Sequence, residues 1–321
     1  MARGGRRRYD EIDGLLLLNK PSGMTSNRAL QTVRRLLNAQ KAGHTGSLDP
    51  AATGMLPLCF GEATKVCAFL LDADKTYRAT ARLGTATSTG DADGGETIAT
   101  AEVPALSFEQ WDAILQGFKG ESLQVPPMYS ALKKEGKRLY ELARQGETVE
   151  REPRPIRVEE ITLLEAAGSR LVFRVTCSKG TYVRVLVEDI ARAAGTVAHT
   201  ARLHREAVGD FRAADMVDLR AVEAQAEESR AELCRSLLPP DRALLAFPAV
   251  EIGAEESAGF RRGQAVASPR AEAVGLQRVY AADGQFLGVG ECSQGGALAP
   301  RRVFKTSEEA RIPRSKKGLK I

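Results

Sequence analysis

Between residues 43 and 57 the chain reads GHTGSLDPAATGMLP, with three glycines and two prolines in fifteen positions. Glycine opens backbone conformations that other residues avoid, and proline removes a hydrogen-bond donor, so the stretch predicts an ordered loop without regular structure. Before it, Leu30, Val33, Leu36 and Leu37 recur at helical spacing up to Asn38, and Thr25 or Ser26 can cap that helix. After it, Val66, Phe69 and Leu70 predict a second helix over about 62–71. Any fold for this chain must hold an irregular loop between two amphipathic elements. A loop fixed on a rigid scaffold is where binding and catalytic groups concentrate.

Residues 75–83 alternate strictly, Tyr77, Ala79, Ala81 and Leu83 against Thr76, Arg78, Thr80 and Arg82, which predicts a strand with one solvated face. Further strands are predicted at about 13–18, 156–164 and 170–177. Helices are predicted at about 107–117, where Ser107 and Gln110 form a capping-box pair, at 182–194 and at 214–229. Residues 120–155 read as an insertion, opened by Pro126-Pro127, filled by a short basic helix near 137–144 and closed by Pro153 and Pro155. Beyond Pro239-Pro240, short apolar runs at 250–252, 264–266, 275–280 and 286–291 predict a small all-β domain from about residue 246. Asp283-Gly284 marks a hairpin between the last two runs.

At 321 residues and 43% hydrophobic content, the chain has the length of about two domains of ~150 residues and ample material for a core. Its longest leucine run, Leu15 to Leu18, is far short of the ~18 apolar residues of a membrane helix, so a soluble protein with no membrane partner is expected. Tyr9, Asp10 and Glu11 stand where a signal peptide would be apolar, which favours the cytoplasm. The five cysteines are odd in number and lack CxxC spacing, which reads as reduced thiols. With three histidines and no HExxH, no protein-built metal site is expected. The net charge of +5 is uneven: residues 1–8 and 311–321 carry nine cations and no acid, so the rest of the chain is net −4. Basic ends of this kind suit RNA attraction and plain solubility alike.

No P-loop spacing, GxSxG elbow or kinase motif set is present. Asp49, followed by Pro50, is by itself a turn former, but its loop also holds His44, Thr45 and Ser47. The segment GHTGSLDPAATGMLPLCFGEATK, with NKPSGMTS upstream, resembles the catalytic motif of the TruB family of tRNA pseudouridine synthases. The resemblance continues through KTYRATARLG, VPPMYSALKKEGKRLYELAR, CSKGTYVRVLVEDI and the ending VGLQRVYAADGQFLGVGE with LAPRRVF, in the family's order over nearly the whole chain.

That resemblance implies an α+β fold: a central mixed sheet flanked by helices at 9–245, a thumb-like insertion at about 120–155, and a PUA-like β-barrel at 246–305. It implies isomerisation of uridine 55 in the T-loop of tRNA, with no cofactor or metal, by a monomer without an obligate protein partner. Asp49 matches the catalytic aspartate, Tyr77 the active-site tyrosine positioned to stack on the target base and to accept the carbon 5 proton, and Arg184 the arginine that pairs with the carboxylate and would depress its pKa. Tyr182 and Leu203 match pocket walls, and His44 the residue that helps displace the flipped nucleotides. Lys20 and Lys65 are expected to contact phosphates, as are Lys133, Lys137 and Arg138 of the thumb. Attack on the sugar, attack on the base and removal of the 2′ proton all remain open for Asp49. Guide-RNA-dependent synthases of the dyskerin type share the aspartate motif, and a non-catalytic RNA-binding protein is the more distant alternative.

Overall fold

The leucine run becomes the first strand, β1 (Gly14–Lys20). Leu16 and Leu18 enter one core cluster and Leu15 and Leu17 another, so both faces are buried, as a continuous apolar run requires. The structure is a computed structural model that describes residues 9–93, 95–134, 136–268 and 274–305. The basic ends, 1–8 and 306–321, lie outside the described residues.

Helix α1 (Ser26–Leu37) begins at Thr25, whose side chain accepts a hydrogen bond from the Arg28 amide, and stops at Asn38, which adopts a left-handed φ of 53°. Then come β2 (Ala42–His44), β3 (Thr53–Phe60), a 3₁₀ segment Gly61–Val66, α2 (Cys67–Asp72), β4 (Lys75–Leu83), β5 (Thr85–Thr87) and β6 (Thr97–Thr100). They are followed by α3 (Phe108–Gln116), β7 (Gly120–Gln124), the hairpin β8 (Lys133–Lys134) and β9 (Lys137–Arg138), and α4 (Leu139–Arg144). The domain closes with β10 (Arg154–Ala167), β11 (Arg170–Cys177), α5 (Val183–Ala193), β12 (Ala198–Val208), β13 (Val217–Asp218), α6 (Leu219–Glu228) and α7 (Arg230–Arg235).

Nine strands form one sheet in the order β13-β1-β3-β12-β4-β11-β10-β7, with β2 paired to β3. The pairs β1–β13 and β3–β12 are parallel and the others antiparallel, which makes the sheet mixed. Trp111 and Leu115 of α3 and Leu186, Val187 and Ile190 of α5 pack on Ala79, Ala81, Leu171 and Phe173. Helices α1, α6 and α7 pack on β1 and β3. The second sheet takes β14 (Ala249–Ile252), β15 (Val266–Ala267), β16 (Gly275–Ala281), β17 (Phe286–Cys292) and β18 (Ala297–Val303), in the order β14-β16-β17-β18-β15. Val289 and Phe304 share a core with Leu15, Leu17 and Met55, so the two sheets are joined by apolar packing.

Several sequence expectations need correction. The 43–57 stretch is not loop throughout, because β2 and β3 enter it from both sides and leave 45–52 irregular. The helix expected at 62–71 is a 3₁₀ segment followed by a six-residue α-helix. Strands β12 and β18 were not predicted, the helix expected from 214 starts at Leu219, and the C-terminal domain contains a helix, α8 (Ala254–Arg261). The insertion is narrower than 120–155: Gly120–Gln124 pairs with 154–158 and extends the main sheet.

Candidate active site

The loop bearing Asp49 is held from below by the NKPSGMTS segment. The Ser26 hydroxyl accepts from the Leu48 amide at 2.8 Å and donates to the Leu48 carbonyl at 3.0 Å. Ser22 Oγ donates to the Ala51 carbonyl at 3.1 Å, and the Gly23 amide to the Pro50 carbonyl at 2.9 Å. Lys20, fully buried, donates to the carbonyls of Pro21 (2.8 Å), Met24 (2.7 Å) and Pro50 (3.2 Å). Burial pushes its pKa down to about 8, with Asp49 pulling it back up. Lys20 is therefore a brace inside the loop and not the phosphate contact expected, since its donors are spent on backbone oxygens.

Downstream, Gly54 lets the loop return to the sheet. Its φ is +100°, and a Cβ there would lie 2.3 Å from the Arg205 carbonyl oxygen. Only glycine permits β3 and β12 to approach so closely at this point.

The loop delivers Asp49 into a cleft of about 640 Å³ whose walls include Tyr77, Tyr129, Tyr182, Arg184, Leu203 and Arg205. Arg184 Nε lies 2.9 Å from Asp49 Oδ2, with the arginine side chain only 6% exposed. Its Nη1 donates to the Thr89 carbonyl at 2.6 Å, its Nη2 to the Tyr129 carbonyl at 2.7 Å, and Asp91 Oδ2 lies 3.7 Å from Nη1. The guanidinium is thus fully anchored and presents a single nitrogen, Nε, to the carboxylate. Burial raises the pKa of Asp49; Arg184 opposes the rise and Asp91 adds to it. The expected depression is overturned because desolvation outweighs the ion pair.

Tyr77 is half-buried on β4, and Leu203 of β12 pairs beside it with Ala79. Tyr182 caps α5, and the Gln124 side chain clamps its backbone at both ends: Tyr182 N donates to Oε1 at 2.8 Å and Gln124 Nε2 donates to Tyr182 O at 3.2 Å. His44 lies at the end of β2, just before the loop and outside the cleft lining, with its Nδ1 buried and unpartnered. Burial, then Arg205, lowers its pKa.

Lys133, Lys137 and Arg138 are exposed on the β8–β9 hairpin, directly after cleft residues Tyr129 to Leu132. Arg138 Nη1 donates to the Tyr140 hydroxyl at 3.1 Å. Lys65 is not placed for substrate. It pairs with Glu62 and donates to the Val303 carbonyl at 2.7 Å, tying the two domains together. Asp91, Gln124, Tyr129 and Arg205 were missed by sequence reading, since nothing in their local pattern separates them from ordinary surface or strand residues. Among the described residues, no group of three or more His, Cys, Asp or Glu side chains could hold a metal ion.

A crystallised Cbf5 in complex with Nop10 and Gar1 superposes with a TM-score of 0.70 at 25% identity, over 91% of this chain and 85% of that one. The fold and the family models that it matches define a pseudouridylate synthase. Residues 34–183 match the N-terminal domain of the TruB family pseudouridylate synthases. Residues 184–245 match the tRNA pseudouridylate synthase B C-terminal domain, and 248–304 the C-terminal part described as pseudouridine synthase II TruB. The chain is 48% identical to the tRNA pseudouridine synthase B of Stutzerimonas stutzeri (strain A1501), over 95% of this chain and all of that protein. It is 50% identical to that of Dechloromonas aromatica (strain RCB), over 94% of this chain and 99% of that protein. The chain belongs to the TruB family.

Proposed function

We propose that the protein isomerises uridine 55 in the T-loop of tRNA to pseudouridine, with Asp49, Tyr77 and Arg184 carrying the chemistry. The bond between ribose carbon 1′ and base nitrogen 1 breaks, the base rotates, and carbon 1′ rejoins at carbon 5, which gives up its proton while nitrogen 1 gains one. The observation that carries this reading is the 2.9 Å contact between Arg184 Nε and Asp49 in a cleft whose walls include Tyr77, Tyr129, Tyr182 and Leu203. Attack on the sugar, attack on the base and removal of the 2′ proton all use the ionised carboxylate, and Arg184 sustains that form against burial. The acid limb of activity is therefore expected above the ordinary value of a free aspartate.

Tyr77 stacks on the flipped base and accepts the carbon 5 proton, with Tyr182 and Leu203 shaping its pocket. Stacking worth about 1–3 kcal/mol offsets the few kcal/mol needed to unstack the target. His44 meets the displaced nucleotides at the loop's edge, and Lys133, Lys137 and Arg138 hold phosphates from the thumb. The PUA-like domain extends the RNA surface. The enzyme works in the cytoplasm as a monomer, without the protein partners of the Cbf5 complex, and no described helix is long and apolar enough to cross a membrane.

The test is incubation of the purified protein with an unmodified tRNA transcript, chelator present, and mapping of pseudouridine by position. Modification at 55 is expected, and Asp49→Asn, which removes the charge at nearly constant volume, is expected to abolish it while tRNA binding persists. Product at another position, or turnover by Asp49→Asn, contradicts the reading. Activity that appears only with a guide RNA and partner proteins supports the dyskerin-type alternative.

A further inference from the structure

One buried arginine stands where two strands and the catalytic loop meet. Arg205 of β12 is the register partner of Tyr77 on β4 and of Gly54 on β3. It is 1% exposed. Its Nε donates to the Met55 carbonyl at 2.6 Å and its Nη2 to the Gly46 carbonyl at 3.0 Å, so it grips the chain before and after Asp49. Its guanidinium carbon lies 6.0 Å from the centroid of the Tyr77 ring, which sets a buried positive charge beside the tyrosine. Among the described residues no carboxylate forms an ion pair with it. A cation buried without an anion is costly, and here the group it faces in the cleft is a phenol.

We infer that Arg205 is a positioning residue for the isomerisation, acting through Tyr77: its buried guanidinium fixes the ring against the target base and holds a positive charge beside the phenol. The inference rests on the role given to Tyr77 above. In that step the phenolate oxygen takes the proton from carbon 5, the carbon–hydrogen electron pair returns to the ring, and the phenol later loses the proton to water. Burial raises the pKa of Tyr77, Cys177 and Asp49 raise it further, and Arg205 opposes all three. Arg205 also presses on its other cationic neighbours, adding to the burial that brings Lys75 and Lys20 down to about 8. The tyrosine thus sits in an electropositive pocket that no single strand encodes.

The experiment is a double-mutant cycle on full-length protein, with Arg205→Gln, Tyr77→Phe and the double variant compared in single-turnover rate and tRNA affinity. Loss of the buried charge beside the Tyr77 ring predicts a rate drop of roughly tenfold or more for Arg205→Gln, with affinity within about threefold. In the Tyr77→Phe background the same change is expected to cost less than about threefold. Equal fold-losses in both backgrounds would mean that Arg205 merely holds the loop and would overturn the inference alone. Wild-type rates for Tyr77→Phe overturn the role of Tyr77 itself, and this inference with it.

If Tyr77→Phe is too slow to measure, or Arg205→Gln folds poorly, the ionisation of Tyr77 is read instead. Fluorotyrosine labelling and ¹⁹F NMR are used on wild type, Arg205→Gln and Arg205→Lys, with the resonance assigned by its loss in Tyr77→Phe. The phenol pKa is expected to rise in Arg205→Gln and to be partly restored in Arg205→Lys. An unchanged value sinks the inference.

Discussion

Two side chains in the cleft region do work that their residue type disguises. Arg184 spends both terminal nitrogens on the Thr89 and Tyr129 carbonyls and offers Asp49 only Nε. A lysine there keeps a charge but cannot reach three acceptors in one plane. Arg184→Lys is therefore expected to lose about 10- to 100-fold in turnover, the range of one charged hydrogen bond, with little change in tRNA affinity. The sign of its pH effect follows from Asp49: burial already raises that pKa, so weakening the pair raises it further and moves the acid limb of the rate profile up. A pH–rate profile that shifts down or stays in place contradicts the pairing. Lys20→Met leaves three loop carbonyls without their donor, which is expected to cost ~1–3 kcal/mol in denaturant unfolding and to slow turnover. Its salt dependence of tRNA binding should match wild type, because Lys20 touches no phosphate. A flatter slope restores the phosphate role.

At the level of elements, the seam between β3 and β12 positions the chemistry. It is a two-residue parallel register, His204 with Thr53 and Arg205 with Gly54, inserted in a largely antiparallel sheet. It brings the Asp49 loop beside Tyr77 because β12 pairs with β3 on one side and β4 on the other. Gly54→Ala forces a Cβ into the Arg205 backbone and strains a φ of +100°. We expect destabilisation of ~3 kcal/mol, from strain at a special backbone position. We also expect turnover to fall beyond what the unfolded fraction explains. Thermal unfolding and single-turnover rates measured together check this, and a neutral Gly54→Ala would show that the seam has slack.

Across the whole molecule, the two domains meet through apolar packing and polar ties. Phe304 and Val289 sit in the core under β1, Lys65 bonds the Val303 carbonyl, and the Glu62 carboxylate accepts from the Lys305 amide at 2.7 Å. Charge is distributed differently from mass: nine cations lie in residues 1–8 and 311–321 and the remaining chain is net −4. Long-range attraction to a polyanion should then lean on the ends. Deleting 1–8 and 311–321 is expected to weaken tRNA binding at low salt and to flatten the plot of log affinity against log salt by about 0.7–0.9 per lost phosphate contact. The modified position and the saturated rate should not change. An unaltered slope would assign the ends to solubility.

The sequence by itself determined the elements whose patterns are purely apolar or purely turn-forming. The Leu15–Leu18 run, the α1 and α5 stripes, the Ser107–Gln110 capping box, the alternation of β4 and the Asp283-Gly284 hairpin all appear as read. Asp49, Tyr77, Tyr182, Arg184 and Leu203 were legible through motif resemblance, and the fold gathers all five in one cleft. Only tertiary structure decided the rest. Strand β12 hides its alternation because two of its buried places are taken by the polar residues Thr200 and Arg205, the latter spending its donors on carbonyls of the Asp49 loop and β3. Strand β3 hides behind Gly54 and Pro57, which local rules count as loop formers. Lys20 and Lys65 look like free cations until the backbone carbonyls they serve, from distant segments, are brought beside them. A sequence pattern records which side chains avoid water, but the partner that repays a buried charge is supplied by another part of the chain.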